Sequence, residues 1–240
     1  MRLSALLASL ALVVPTSVWA VPADVAADDA SLDIVNRFLD ATRTQQEMLR
    51  GAQMEVDINA KIPKLEKQGK LRALRRISRL GQITYKALGF SGDSTIKQEV
   101  ITRYLAAESE ARDSGSIAIT PANYKFKYKG VAERDGRELR MFQITPKKKK
   151  VGLFRGELWL DAETGMPVRE AGQFVKNPSV FLKKVEFVED FELRDGVAIP
   201  KHFRGTVDTR LVGRAELSID FSNFSRPEAA GGDAIENPIQ

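Results

Sequence analysis

The chain has 240 residues, with 37 Lys and Arg against 32 Asp and Glu, a formal net charge of +5, one His and no Cys. The missing cysteines exclude disulfide staples and lipid attachment through a cysteine, and with a single histidine they also exclude the common zinc sites. The mild basicity suits anionic headgroups or acidic partners, although an ordinary charged surface also accounts for it; no aromatic and basic motif points to nucleic acid.

The first twenty residues, MRLSALLASLALVVPTSVWA, set Arg2 before an apolar run from Leu3 to Val14. Val18 and Ala20 then occupy the minus-three and minus-one positions of a cleavage site, the pattern of a secretory signal peptide over residues 1–20. The run breaks at Pro15, short of the roughly 20 residues a spanning helix requires, so no membrane span is expected. Removing the signal leaves a length suited to one large β-rich domain or two small ones, placed in the periplasm.

Residues 21–30 read as a flexible polar arm. From Ser31, the residues Leu32, Val35, Phe38 and Leu39 recur at helical spacing, which predicts an amphipathic helix to about Leu49, ended by Gly51. In AQMEVDINAKI, Met54, Val56 and Ile58 alternate with Glu55, Asp57 and Asn59, as in a strand with one buried face. GKLRALRRISRL also suits a basic helix, but Gly69 and Gly81 bracket the length of a strand, and GQITYKALGF continues as another. SGDSTIKQEVITRYLAAESEAR predicts a second helix with Asp93, Ser94 or Thr95 as its cap and Ile96, Val100, Tyr104 and Ala107 as its stripe.

After Pro121 the pattern is strand upon strand. NYKFKYKG alternates Tyr124, Phe126 and Tyr128 with Lys125, Lys127 and Lys129, and an RDG turn leads into RELRMFQIT. The run Lys147 to Lys150 reads as a solvated hairpin tip. In RGELWLDAETGMPVREAGQF, Leu158 and Leu160 share one side of the first strand, with Arg155, Glu157, Trp159 and Asp161 on the other. KKVEFVEDFEL, HFRGTVDTRL and AELSIDF repeat the device, so nearly every strand has an apolar and a charged face.

Strands buried on both faces would read as continuous apolar runs; these describe one antiparallel meander with water on one side. The predicted class is α+β: a large curved antiparallel sheet forming a half-open β-barrel, with two helices covering its concave apolar face. Residues 31–224 form this single domain, and 225–240 a flexible tail.

Catalytic vocabulary is sparse. His202 occupies an outward strand position, and GFSGD at Gly89 to Asp93 lacks the last glycine of a nucleophile elbow. The carboxylates lie among Lys and Arg on strand faces, as solvated surfaces do. Glu189 is the exception: strict alternation points it inward, either because a β-bulge lies nearby, the reading adopted here, or because it contacts a ligand. No phosphate-binding glycine loop or dinucleotide fingerprint appears, so neither an enzyme nor a cofactor is expected.

Two stretches, LWLDAETGMPVR (a strand ending in Asp, a Gly turn, a strand) and DGVAIPKHF, together with GQITYKALGFSGD running into KQEVITRYLAAE, carry a family likeness. Over roughly Ser31 to Phe224 the chain resembles the LolA-like outer-membrane lipoprotein-sorting superfamily. That resemblance implies an unclosed barrel whose apolar interior holds acyl chains, with possible inner-membrane donor and outer-membrane acceptor proteins as partners. The long second helix and the Lys147 to Lys150 hairpin depart from the best-known carriers, and no position here takes the family's lid-locking arginine.

An acyl chain of about 15 carbons costs on the order of 12 kcal/mol to leave in water, so a carrier needs an apolar cavity rather than catalytic residues. Val56, Ile58, Phe126, Leu158, Leu160, Phe187, Phe203 and Leu217 are the residues expected to line it, with the helices as a lid. The competing expectation is an envelope regulatory module of the same fold that binds a protein partner.

Overall fold

The structure, a computed structural model, describes residues 23–111, 117–177, 182–210 and 213–226. The signal peptide, Val21 and Pro22 of the arm, and tail residues 227–240 lie outside the described residues. Helix α1 (Ala23–Met48) is followed by strands β1 (Gln53–Ile62), β2 (Lys67–Ile77) and β3 (Ile83–Gly92). A helical segment comes next, made of α2 (Ser94–Ile96), a π-helical stretch (Lys97–Thr102) and α3 (Arg103–Ala111). Seven strands complete the chain: β4 (Tyr124–Arg134), β5 (Arg137–Pro146), β6 (Phe154–Asp161), β7 (Pro167–Phe174), β8 (Leu182–Arg194), β9 (Val197–Thr209) and β10 (Arg214–Ser225).

All ten strands form one antiparallel sheet in the order β3-β2-β1-β10-β9-β8-β7-β6-β5-β4, which leaves β3 and β4 as free edges. The sheet is therefore open, as expected. It also bends: a flat sheet would separate β4 from β8 by about 19 Å at 4.8 Å per strand, yet Arg134 of β4 donates to Asp190 of β8 over 3.0 Å. Register shifts, including those at Arg72/Ala73, Tyr128/Gly130, Trp159/Leu160 and Asp190/Phe191, supply the irregularity that such curvature needs.

One face of the sheet holds two cores. The first gathers Met54, Val56, Ile58, Leu71, Ala73 and Ile219 beneath the α2–π–α3 segment. Ile34, Val35 and Phe38 of α1 cover Phe142, Ile144, Leu158 and Leu160 in the second. No helix among the described residues is long and apolar enough to cross a membrane.

Both helical predictions need correction. α1 starts at Ala23 rather than Ser31, and Leu32, assigned to its stripe, is 61 % exposed; the buried face is Ile34, Val35 and Phe38. Further along the same face, the Gln45 side chain accepts a 3.0 Å hydrogen bond from the Ala198 amide of β9. In the second segment Asp93 is the cap, accepting from the Thr95 and Ile96 amides. Its stripe does not keep the period of an α-helix, because Ile96 and Ile101, five residues apart, are both fully buried and Ala107 is exposed. The intervening π turn is what brings residues five apart onto one face.

α1 is also fixed at mid-length to the β6–β7 turn, where Arg37 donates to the carbonyls of Ala162 and Glu163 at 3.0 and 2.9 Å. Gly165 has φ +73, and a Cβ there would stand 2.8 Å from the Arg37 backbone, so only glycine allows this approach. Asp161, read as one of the charged outer residues, is 2 % exposed: it accepts from the Thr164 amide and hydroxyl at 2.8 and 2.7 Å and so closes the turn.

Candidate functional site

Cross-strand register assembles the site on the packed face. Leu158, Glu170, Glu189, Phe203, Ile219 and Ile58 stand side by side on β6, β7, β8, β9, β10 and β1. Beside that row, Ile144, Gly156, Gly172, Phe187, Gly205 and Leu217 form a second. Directly opposed residues share a face, so both rows look toward the helices.

The glycines let aromatic rings approach the sheet backbone closely. The Phe203 ring comes within 3.0 Å of where a Gly205 Cβ would be, and the Phe154 ring within 2.5 Å of one at Gly172. A chain of aromatic contacts follows: Tyr124 to Phe154 at 5.9 Å, Phe154 to Phe187 at 4.8 Å, Phe187 to Phe203 at 6.3 Å and Phe203 to Tyr104 at 5.3 Å. This relay joins the two cores across β7 to β9.

The eight residues expected to line a cavity divide accordingly. Val56, Ile58 and Leu217 belong to the first core, with Phe203 packed against it. Leu158 and Leu160 belong to the second, with Phe126 and Phe187 packed against it. Val56, Ile58, Leu158 and Leu160 are at most 1 % exposed, whereas Phe126, Phe187 and Phe203 are only partly buried. All eight belong to, or pack against, the two cores that the helical segments cover. Two open depressions, of about 580 and 350 Å³, are bordered by Lys70, Arg72 and Ser91 and by Lys61, Arg204 and Glu216, and of the eight residues Ile58 lines the first and Leu217 the second.

The α2–π–α3 cover is held by a polar clamp that sequence reading missed. Arg75 of β2 is 1 % exposed; its Nη2 donates to Glu108 Oε1 of α3 at 2.9 Å and its Nε to the same oxygen at 3.2 Å. Nε also lies 3.2 Å from the Tyr85 hydroxyl, which in turn donates to Glu108 Oε2. Burial works against the Arg75 charge, but Glu108 and Tyr85 outweigh it and hold the guanidinium charged. Burial, reinforced by the Glu108 charge, pushes the Tyr85 hydroxyl above its ordinary range, so it stays a donor. The signal was present in LRALRRI, where alternation sets Arg75 on the face of Leu71, Ala73 and Ile77.

Glu189 faces inward, as alternation requires. The expected bulge is also there, one step on at Asp190/Phe191, and Glu189 itself remains in register between Glu170 and Phe203. Glu170 joins it as an inward carboxyl that sequence reading did not identify. Burial, and then the Glu189 charge, push the Glu170 carboxyl up to about 8, so at neutral pH it carries a proton. Burial likewise pushes the Tyr104 hydroxyl well up, with Glu108 and Glu189 adding to the shift, and the Tyr104 ring of α3 lies 5.3 Å from Phe203, the residue opposite Glu189. On the outer face, His202 pairs with Asp220 at 2.6 Å and Asp190 receives Arg134 and Arg169.

No protein-family model matches this sequence, and no curated protein does. Among solved structures, an outer-membrane lipoprotein-sorting domain from Vibrio parahaemolyticus matches at 12 % identity and a TM-score of 0.43, covering 84 % of this chain and 95 % of that one. A DUF1329 family protein from Desulfovibrio piger matches at 16 % identity and 0.42, with the same coverages of 84 % and 95 %. A LolA superfamily protein from Nitrosomonas europaea matches at 12 % and 0.37, covering 81 % of this chain and 92 % of that one. The superfamily named by the resemblance thus returns among the structural matches. These are distant likenesses, and neither cargo nor partner follows from them.

Proposed function

We propose that this protein is an exported carrier that holds the acyl chains of a lipid or lipoprotein against the concave face of its sheet, for transport through the periplasm toward the outer membrane. The observation that carries the reading is the clamp of Arg75, Glu108 and Tyr85. It is a buried polar latch set among the apolar contacts between the α2–π–α3 cover and the sheet, where another polar tie is the more exposed Lys67 of β2, bonded to Thr95 and paired with Asp93 at the start of the cover. An interface meant only as core gains little from a buried ion pair, since apolar side chains of the same volume serve as well or better.

Loading replaces the contacts of the cover. When the latch opens, Ile96, Ile101 and Tyr104 leave the surface formed by Ile58, Leu71, Phe203 and Leu217, and an acyl chain takes their place. Each CH₂ buried gains about 0.8 kcal/mol, so a long chain offsets both the broken latch and the lost packing. The glycines beneath the rings give Phe154 and Phe203 room to swing along the sheet as the chain enters. Transfer needs no bond broken and therefore no catalytic group.

The test is native mass spectrometry with lipid extraction on the mature protein, purified without detergent from a bacterial periplasm. A stoichiometric acyl-containing species is expected. An empty protein that also refuses added fatty-acid probes overturns the reading.

A further inference from the structure

Seven lysines gather at one corner of the sheet. On β4, alternation turns Tyr124, Phe126 and Tyr128 toward the packed face and leaves Lys125, Lys127 and Lys129 exposed on the other. Tyr124 pairs with Pro146, and the Lys147 amide donates to the Asn123 carbonyl at 2.8 Å, so the tip Lys147 to Lys150 begins where this stripe ends. At about 3.3 Å per residue the three strand lysines span about 13 Å, and the tip prolongs them.

No carboxylate stands directly opposite this stripe, and Lys147 is tied only to a carbonyl, that of Pro121. Opposite Lys125 and Lys127 on β5 stand Thr145 and Gln143. Among the described residues no ion pair engages any of the seven. The whole chain carries a net +5, so this one corner exceeds the total and the rest of the molecule is on balance negative. Because β4 is an edge strand, no further strand shields the stripe. Val151, next to the last lysine, is 40 % exposed and adds an apolar residue to the tip.

We propose that this corner docks the protein onto an anionic phospholipid bilayer. A plane of headgroup charge suits hydrated, mobile ammonium groups spread along an edge, whereas an acidic polypeptide is better met by the fixed fork of arginine, which neither this stripe nor the tip contains. An exposed Val151 among lysines fits the same partner, reaching the boundary of headgroup and acyl chain. The surface does not depend on the identity of the cargo and lies outside the concave site.

Co-sedimentation tests it, with vesicles of phosphatidylcholine containing phosphatidylglycerol against vesicles of phosphatidylcholine alone. The protein binds the anionic vesicles, and release follows when the ionic strength is raised to about 0.5 M, where screening removes surface attraction. The triple variant Lys148→Ser, Lys149→Ser, Lys150→Ser loses binding by roughly tenfold or more. A triple variant of equal charge elsewhere, Lys64→Ser, Lys86→Ser, Lys201→Ser, stays within about twofold of wild type. The tip variant keeps its far-ultraviolet circular dichroism and its fatty-acid probe binding, so failure here is separable from failure of the carrier reading. Equal losses in the two variants overturn the proposal, as does a protein that ignores anionic vesicles but binds polyglutamate through the same lysines.

Discussion

Arg75 Nη2 lies 2.9 Å from Glu108 Oε1, joining the inner face of β2 to α3 with an arginine that is 1 % exposed. The pair is a latch because its two halves sit on the sheet and on its cover. Removing one half strands the other: Glu108→Gln leaves the guanidinium buried without its counter-charge and is expected to cost about 3 kcal/mol in urea unfolding. The double variant Arg75→Met, Glu108→Leu recovers most of that loss, since a buried ion pair and well-packed apolar residues are close in stability. In Glu108→Gln the cover also lifts more often, so association of a fatty-acid probe, followed by stopped flow, speeds up severalfold. A variant with wild-type stability and wild-type association rate contradicts the latch.

Glu170 gives the fold a pH dependence of definite sign. In the folded protein its carboxyl holds a proton up to about pH 8, while in the unfolded chain it releases it near its ordinary value of about 4.3. Between those values the folded state binds more protons than the unfolded one, so this group makes stability fall as pH rises from about 4.3 to about 8 and adds no slope beyond. Glu170→Gln removes that fall. At pH 8 the variant is expected to exceed wild type by on the order of 5 kcal/mol, and at pH 4 the two converge. Denaturant titrations at the two pH values decide it; equal gaps at both contradict an inward, protonated Glu170.

Two glycine substitutions should differ sharply in the size of their effect. A Cβ at Gly156 would lie 1.9 Å from the Ala171 carbonyl oxygen and 2.5 Å from Gly172 Cα, forcing β6 and β7 apart where they pass closest. Gly156→Ala is expected to cost about 3 kcal/mol. Gly89 of β3 has open space around its missing Cβ, and Gly89→Ala is expected to stay within about 0.5 kcal/mol of wild type. Thermal unfolding of both variants checks the contrast.

Much of this fold could be read along the chain. Alternation located most of the strands and, where faces were assigned, the side turned inward, because one side of the sheet is packed and the other wet, while β2 was read as a strand from the bracketing Gly69 and Gly81. Val56, Ile58, Leu158 and Leu160 were legible as buried for that reason. The features that were not legible depend on neighbours in space. Glu170 gains its meaning only from standing opposite Glu189, a relation set by the register of β7 on β8. Arg75 was visible by alternation, yet its partner Glu108 lies on another element 33 residues on. The π turn escaped because Ile96 and Ile101 fit no regular helical period. Leu32 satisfied the period of α1 but falls where the sheet offers nothing to cover it.

Phe187 is the residue on which the central claim can be tested most directly. Its ring sits 4.8 Å from Phe154, 5.6 Å from Phe174 and 6.3 Å from Phe203, partly buried between the two cores. Titration of the wild-type protein and of Phe187→Lys with a fluorescent fatty-acid probe, under conditions where both show the same far-ultraviolet circular dichroism, asks whether the concave face is where an acyl chain lies. Saturable binding by wild type, lost by at least about tenfold in the variant because an ammonium is placed in the apolar path, is the predicted result. Equal binding by the two folded proteins would contradict the account.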